Sequence, residues 1–211
     1  SLQQGQVPPT LRCIAVTMPE VALAMPAKNH WTLPAMNTAP LSLHHFTTPL
    51  GSMYVCASER GVCLLEFADR RTLETEFKAI QRLLKAPMQV GENAYTRQAE
   101  REIGEYFAGT RRVFDVPLDT PGSAFQQAVW RVLHTIPYGH TASYSEQAAR
   151  LGKPQAVRAV ANANGANRVS IIIPCHRVIG KNGTLTGYGG GLARKQWLLE
   201  HERCHADKAQ G

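Results

Sequence analysis

A cysteine followed directly by a histidine and an arginine, Cys175-His176-Arg177, gives this 211-residue chain a capacity for covalent chemistry. A thiol attacks as its thiolate, and a neighbouring base or positive charge brings the thiolate within reach near neutral pH. A Cys-His pair supplies that base in principle, and a carboxylate that orients the imidazole would complete a relay. Side chains adjacent in sequence often point apart, so the pair would need a bridging water. Pro174 and the β-branched run before it would hold the cysteine. On the dipeptide alone, a structural cysteine beside a chance histidine is the commoner arrangement. The other cysteines say less. Cys56 and Cys63 flank an expected turn near His44 or His45, but their spacing is not that of a tight zinc pair, and no metal is expected. Cys13 and Cys204 fall in an expected arm and tail. Five cysteines without framework spacing suit a reducing, intracellular compartment.

These residues need elements to position them. Residues 1–40 hold six prolines and no sustained periodicity, and read as an irregular arm or linker. From Leu43 three short strands follow, over 43–48, 52–57 and 62–67, separated by turns at Pro49-Leu50-Gly51 and Glu59-Arg60-Gly61. Leu73, Phe77, Ile80 and Leu84 form one apolar helical stripe, and a second helix is expected from Thr96 to Phe107, stopping at Gly109. Residues 111–118 read as an extended link. The segment 41–118 is therefore a small α/β unit with no evident chemistry.

From Thr120 the chain turns helical. Phe125, Val129, Leu133 and Ile136 form a stripe ended by Pro137-Tyr138-Gly139. Ser145 is placed to cap a short helix through Leu151, and Pro154 to open the next, running to Asn164; the pair has helix-turn-helix spacing. On the second of these, Ala156, Ala159 and Ala163 make a face small enough for close approach to a backbone, with Val157, Val160 and Ala161 opposite. Val169–Ile173 reads as an apolar strand leading into Cys175, and Ala193–Glu202 as a closing helix. Gly189, Gly190 and Gly191 suggest backbone lying close to a ligand.

Composition narrows the class. Hydrophobic residues are 44% and charged ones 18%, enough for a packed core, and a net charge of +7 with pI about 9.4 suits a polyanionic partner. Apolar runs are short and interrupted, so no membrane span is expected, and Pro19 and Glu20 break any signal-like stretch near the start.

Several motifs in order carry a family resemblance. Ile173-Pro174-Cys175-His176-Arg177-Val178 is similar to the active-site signature of the O6-alkylguanine-DNA alkyltransferases. So are Gly187-Tyr188-Gly189-Gly190-Gly191-Leu192 and Lys195-Gln196-Trp197-Leu198-Leu199-Glu200-His201-Glu202 downstream, and Phe125-Gln126-Gln127-Ala128-Val129-Trp130, Ile136-Pro137-Tyr138-Gly139-His140-Thr141, Tyr144 and Arg158-Ala159-Val160 upstream. The resemblance is strong over about 119–203, loose over 43–118 and absent over 1–40. It implies a small ribonuclease-H-like α/β domain over 41–118, then a helical, winged-helix-like DNA-binding and alkyl-acceptor domain over 119–211.

The same resemblance implies roles. Cys175 would accept the alkyl group from O6 of guanine, His176 would deprotonate it through a water, Glu202 would orient His176, and Asn167 would brace the site from a hinge. Tyr144 would crowd the 3′ phosphate and give a proton to guanine N3, and Arg158 would fill the gap left by a flipped nucleotide. Ala156, Ala159, Ala163 and Ser143 would face DNA in the minor groove; Val178, Tyr188, Gly189 and Gly190 would border the base pocket. Many homologous loops carry Ser where Gly189 stands, which bears on the breadth of adducts accepted. The implied partner is double-stranded DNA containing O6-alkylguanine, with O4-alkylthymine a second substrate. No cofactor, no membrane, a monomer and a cytoplasmic location acting on the nucleoid complete the expectation. Three rivals stand beside it: a non-reacting damage-flagging relative, which would lack the acceptor cysteine; a regulator built on the helix-turn-helix; and a multiple-turnover cysteine hydrolase.

Overall fold

The computed structural model describes residues 39–207. The expected arm, all but its last two residues, and Cys13 lie outside the described residues. The described residues form one compact unit. Its first half is a four-stranded sheet, β1 (Leu41–Thr48), β2 (Gly51–Ala57), β3 (Val62–Phe67) and β4 (Met88–Val90), in the order β3-β2-β1-β4, with helices α1 (Leu73–Leu84) and α2 (Ala94–Phe107). The first three strands pair antiparallel, and β4 runs parallel to β1.

Every residue from Met53 to Ala57 and from Val62 to Phe67 is buried, because both faces of these strands are covered. Tyr54 packs edge-on against Phe77 of α1, while Met53, Val55 and Leu65 share a core with Ala99 and Ile103 of α2. Helix α2 starts at a capping box in which Asn93 Oδ1 accepts from the amides of Tyr95 (3.0 Å) and Thr96 (2.9 Å), and Thr96 Oγ1 accepts from Asn93 N–H. At Gly61 (φ +156°) an added Cβ would sit 2.4 Å from the Pro117 carbonyl oxygen, so the sheet and the following link approach too closely for a side chain.

The second half contains α3 (Ala124–His134), α4 (Tyr144–Arg150), α5 (Val157–Gly165) and α6 (Leu192–Asp207), with a short parallel pair β5 (Ala142–Ser143) and β6 (Val178–Ile179). Helices α4 and α5 are locked by a reciprocal amide pair, Gln147 to Asn164 at 2.9 Å and Asn164 to Gln147 at 2.7 Å. Trp130 of α3 donates to the Ala163 carbonyl at 2.9 Å.

Four local expectations change. Ser143, not Ser145, caps α4, through a Ser-x-x-Glu box in which Ser143 Oγ accepts from Glu146 N–H at 3.1 Å and Glu146 Oε2 accepts from Ser143 N–H at 2.6 Å. Helix α5 begins at Val157, three residues after Pro154, because Lys153–Ala156 closes a turn through Ala156 N–H to Lys153 O. Val169–Ile173 is not a strand. It makes one bridge to Leu65 and then winds through turns, with Ile171 at φ +71°; all its side chains but Ser170 are apolar because it is buried on all sides. Helix α6 continues to Asp207, which puts Cys204 on an exposed helical surface and not in a tail. Among the described residues no helix is long and apolar enough to cross a membrane.

Candidate active site around Cys175

Pro174 ends the buried 169–173 segment, and a single 3-10 turn, Cys175–Arg177, follows. The Cys175 sulfur lies 3.2 Å from Asn167 Nδ2. The same Asn167 nitrogen donates to Ile173 O at 3.0 Å, while Asn167 Oδ1 accepts from Val169 N–H at 2.9 Å, so this buried side chain is fixed at both ends. It follows the C-terminus of α5 and ties that helix to the segment carrying the thiol.

His176 is fully buried, with Nε2 2.7 Å from Glu202 Oε1. An ionised carboxylate only accepts, so Nε2 carries the proton and Nδ1 holds the lone pair. That Nδ1 is buried and has no partner among the described residues. Glu202 also accepts from Arg177 Nε (2.9 Å) and Nη2 (3.0 Å), Gly139 N–H (3.1 Å) and Tyr106 Oη (2.9 Å). Burial would raise Glu202, but the charges and hydrogen bonds of His176 and Arg177 outweigh it and hold it well below the usual carboxylate range. Burial holds His176 below the usual imidazole range against the pull of Glu202. Burial likewise pushes the Cys175 thiol up to about 11; Asn167 and Lys195 oppose the rise and Glu66 adds to it. The resting site is thus a thiol, a neutral imidazole with a free Nδ1, and an ionised carboxylate paired with Arg177. That arrangement supplies a general base beside a nucleophile, which is what a displacement by sulfur needs.

The structure brings Asn167, Cys175, His176 and Glu202 together from three separate segments. Tyr144 opens α4 and donates to Thr186 O at 3.1 Å, on the loop before the glycines; burial pushes its hydroxyl up. The Tyr188 hydroxyl is buried, and burial, then the nearby Cys175 and Glu66, raise it well above the usual phenol range against the pull of Ser170. Ser143 is the cap of α4, and Arg158 stands exposed on α5 with no carboxylate partner among the described residues. Val178 is fully buried in β6, its carbonyl accepting from Lys195 Nζ at 2.5 Å.

Ala163 is a correction: it is 4% exposed and joins the core under Trp130. With α5 starting at Val157, the exposed face is Arg158, Ala159, Asn162 and Gly165, while Ala156 sits half-buried at its cap. A Cβ on Gly189 would lie 2.6 Å from Arg70 Nη1, and one on Gly190 would lie 2.7 Å from the Tyr188 ring and 3.0 Å from Phe67. Arg70 and Phe67 of the sheet half and the Tyr188 ring thus stand against Gly189 and Gly190, while Gly191 faces open space. Arg70 is held there by Glu66, by Glu76 at 3.0 Å and by Gly165 O at 3.3 Å.

Tyr106 and Lys195 are neighbours of the site to which the sequence gave no role, and Arg177, read there as a basic residue beside the thiol, is the charge partner of Glu202. Tyr106 lies on α2 and Lys195 on α6, and only the tertiary fold brings them to the site. Lys195 is fully buried, donates to Val178 O and to Thr186 O at 2.7 Å, and burial brings it down to about 8. Away from the site, Cys63 donates to the Cys56 carbonyl at 3.2 Å, and the His44 ring lies between Glu92 (3.3 Å) and Glu100 (2.8 Å).

The family description "6-O-methylguanine DNA methyltransferase, ribonuclease-like domain" matches residues 43–120, and its "DNA binding domain" counterpart matches residues 124–204. The chain belongs to the 6-O-methylguanine DNA methyltransferase family. Proteins named methylated-DNA–protein-cysteine methyltransferase are similar to it. The one from Mycolicibacterium paratuberculosis is 58% identical over 108 residues, 51% of this chain and 66% of that protein. The one from Shigella flexneri is 54% identical over 102 residues, 48% of this chain and 60% of that protein. Both alignments fall short of two thirds of the relative's length. A relative from Methanosarcina acetivorans is 40% identical over 157 residues, 74% of this chain and 95% of its own. Among solved structures, Mycobacterium tuberculosis OGT in complex with DNA matches with a TM-score of 0.67 and 39% identity, covering 78% of this chain and 94% of that one. The mixed α/β architecture, a sheet half followed by a helical half, is that of the family.

Proposed function

We propose that this chain repairs DNA by taking the alkyl group of an O6-alkylguanine in duplex DNA onto the sulfur of Cys175, once per protein molecule. The observation that carries the reading is the Cys175 thiol held by Asn167 beside a buried His176 whose Nε2 is fixed on Glu202 and whose Nδ1 is free. The relatives' name and the DNA complex of the tuberculosis protein support it.

In this mechanism the Cys175 proton passes to His176 Nδ1 through a water, the sulfur–carbon bond forms, and the carbon–O6 bond breaks. Guanine leaves as a neutral base because Tyr144 gives a proton to N3, which requires its hydroxyl to turn from the Thr186 carbonyl. The thioether has no carbonyl for water to attack, so the protein is consumed. O6 lies in the stacked duplex, so the nucleotide must be extruded. The exposed face of α5 would enter the minor groove, with Ala159 allowing close approach and Arg158 filling the vacated stack. Ser143 and Ala156 would lie against the backbone, and Tyr188, Gly189 and Gly190 would border the extruded base. O4-alkylthymine is a second substrate. The segment 41–118 supports the acceptor segment 119–211, the protein acts as a monomer, and its place is the cytoplasm.

Single-turnover transfer from a duplex carrying radiolabelled O6-methylguanine tests this, with Cys175→Ala alongside. Label on the wild type and none on the variant is expected. Tight binding of the damaged duplex without transfer would replace the reading with damage flagging.

A further inference from the structure

We propose that Tyr106, on α2 of the sheet half, is a positioning residue for the transfer reaction, its hydroxyl holding the Glu202 carboxylate that fixes His176. The inference rests on the alkyl-transfer reading above. Tyr106 is fully buried, and its Oη donates at 2.9 Å to Glu202 Oε1, the oxygen that His176 Nε2 reaches at 2.7 Å. Its ring is wedged among Phe107, Phe114, Tyr138 and His201, with centroids 5.5, 5.6, 6.0 and 5.3 Å away, so it cannot swing aside. The other donors to Glu202 are His176, Arg177 and Gly139, all from the helical half. Among the described residues, Tyr106 is therefore the hydrogen bond by which the sheet half reaches the catalytic pair. A half that carries no reactive group still completes the site.

A carboxylate offers about four lone-pair sites, and here they are filled from several directions, so Glu202 cannot rotate without breaking bonds. Tyr106 also acts on charge. A neutral O–H donor disperses the negative charge that His176 feels. Removing it makes the imidazolium easier to form. The ionisable groups facing the pair are Arg177 on the 3-10 turn, Lys195 and His201 on α6, Tyr138 after α3 and Tyr106 itself. His176 must be neutral to accept the thiol proton, so the acid limb of the transfer rate should follow its titration.

Tyr106→Phe in the full chain should move that limb to higher pH by about one unit, the scale of a hydrogen bond to a charged group. Tyr138→Phe is the control, since it removes a buried hydroxyl with no hydrogen-bond partner among the described residues from the same aromatic cluster; its limb should stay with the wild type. Should Tyr106→Phe fold poorly, difluorotyrosine at position 106 keeps the donor and strengthens it, and the limb should move to lower pH. Alkylation of the Cys175 peptide by iodoacetamide, read by mass spectrometry across the same pH range, should shift in the same directions without DNA. A limb unmoved in Tyr106→Phe, or moved equally in Tyr138→Phe, overturns the inference and leaves Tyr106 as packing. If the wild type transfers no label, the alkyl-transfer reading fails instead, and the iodoacetamide profile still decides the role of Tyr106.

Discussion

Replacing Glu202 by Gln changes one atom type in a fully buried carboxylate, and the structure sets what should follow. Oε1 accepts from Tyr106, His176 and Arg177, and Oε2 from Arg177 and Gly139. An amide keeps one acceptor and turns an NH2 toward donors that had an acceptor before, and Arg177, 6% exposed, loses its charge partner. Breaking a buried ion pair by removing one partner costs about 3–5 kcal/mol. At this chain length about 2–4 °C is lost per kcal/mol, so the melting point should fall by about 10 °C. The loss should depend on pH with a definite sign. Glu202 is held below its unfolded value, so its contribution is complete above the unfolded carboxylate range and is lost as pH falls through the folded one. Wild-type and Glu202→Gln melting points should therefore converge in acid. Transfer should slow by about a hundredfold or more, since His176 loses the partner that fixes its tautomer. Calorimetry across pH with single-turnover transfer measures both. Equal melting points at neutral pH together with a wild-type rate would refute the reasoning.

Other perturbations have equally definite outcomes. Asn167→Ala strands Ile173 O and Val169 N–H and removes the donor to Cys175, so it should cost about 1–3 kcal/mol and move iodoacetamide reactivity of Cys175 to higher pH. Lys195, lowered by burial to about 8 from 10.5, binds its proton less well folded than unfolded, so wild-type stability gains from this group as pH rises through that window. Denaturant melts should show Lys195→Met losing about 3 kcal/mol relative to wild type between those limits, and a constant difference would contradict the burial argument. Gly189→Ala should displace the Arg70 guanidinium and cost about 1–2 kcal/mol. In an Arg70→Ala background the same change should cost little, as a double-mutant cycle would show.

Where local pattern decided structure, the sequence was readable. The stripe Leu73, Phe77, Ile80, Leu84 marks α1, and the turns at Gly51 and Gly61 bound the three longer strands. Strand β4 has three residues and forms because β1 offers it an edge, which no periodicity announces. The Ser-x-x-Glu box at 143–146 was present in the sequence, and choosing Ser145 missed it. Val169–Ile173 shows the limit of apolar runs: complete burial gives the same composition whether the backbone is extended or turning. Ala163 stands three residues after the buried Val160, a spacing that puts both on one helical face, so it belongs to the core and not to the expected outer face.

The cysteine, histidine and carboxylate could be named from motifs, because the family signature is contiguous around Cys175 and again before Glu202. What the motifs lack is everything reaching them across the fold. Tyr106 is 96 residues from Glu202 in sequence. Arg70 reaches the Gly189 loop from just after β3, outside every quoted motif. The sheet half, silent in the sequence, supplies a donor to the Glu202 carboxylate and a side chain packed on the glycine loop.

The most direct measurement is intact-protein and peptide mass spectrometry after incubation with an excess of duplex containing O6-methylguanine. The account predicts one added methyl group per molecule, located on the Cys175 peptide, and no further repair when fresh duplex is supplied. Continued turnover, a methyl group on another cysteine, or unmodified protein with unrepaired DNA would contradict it.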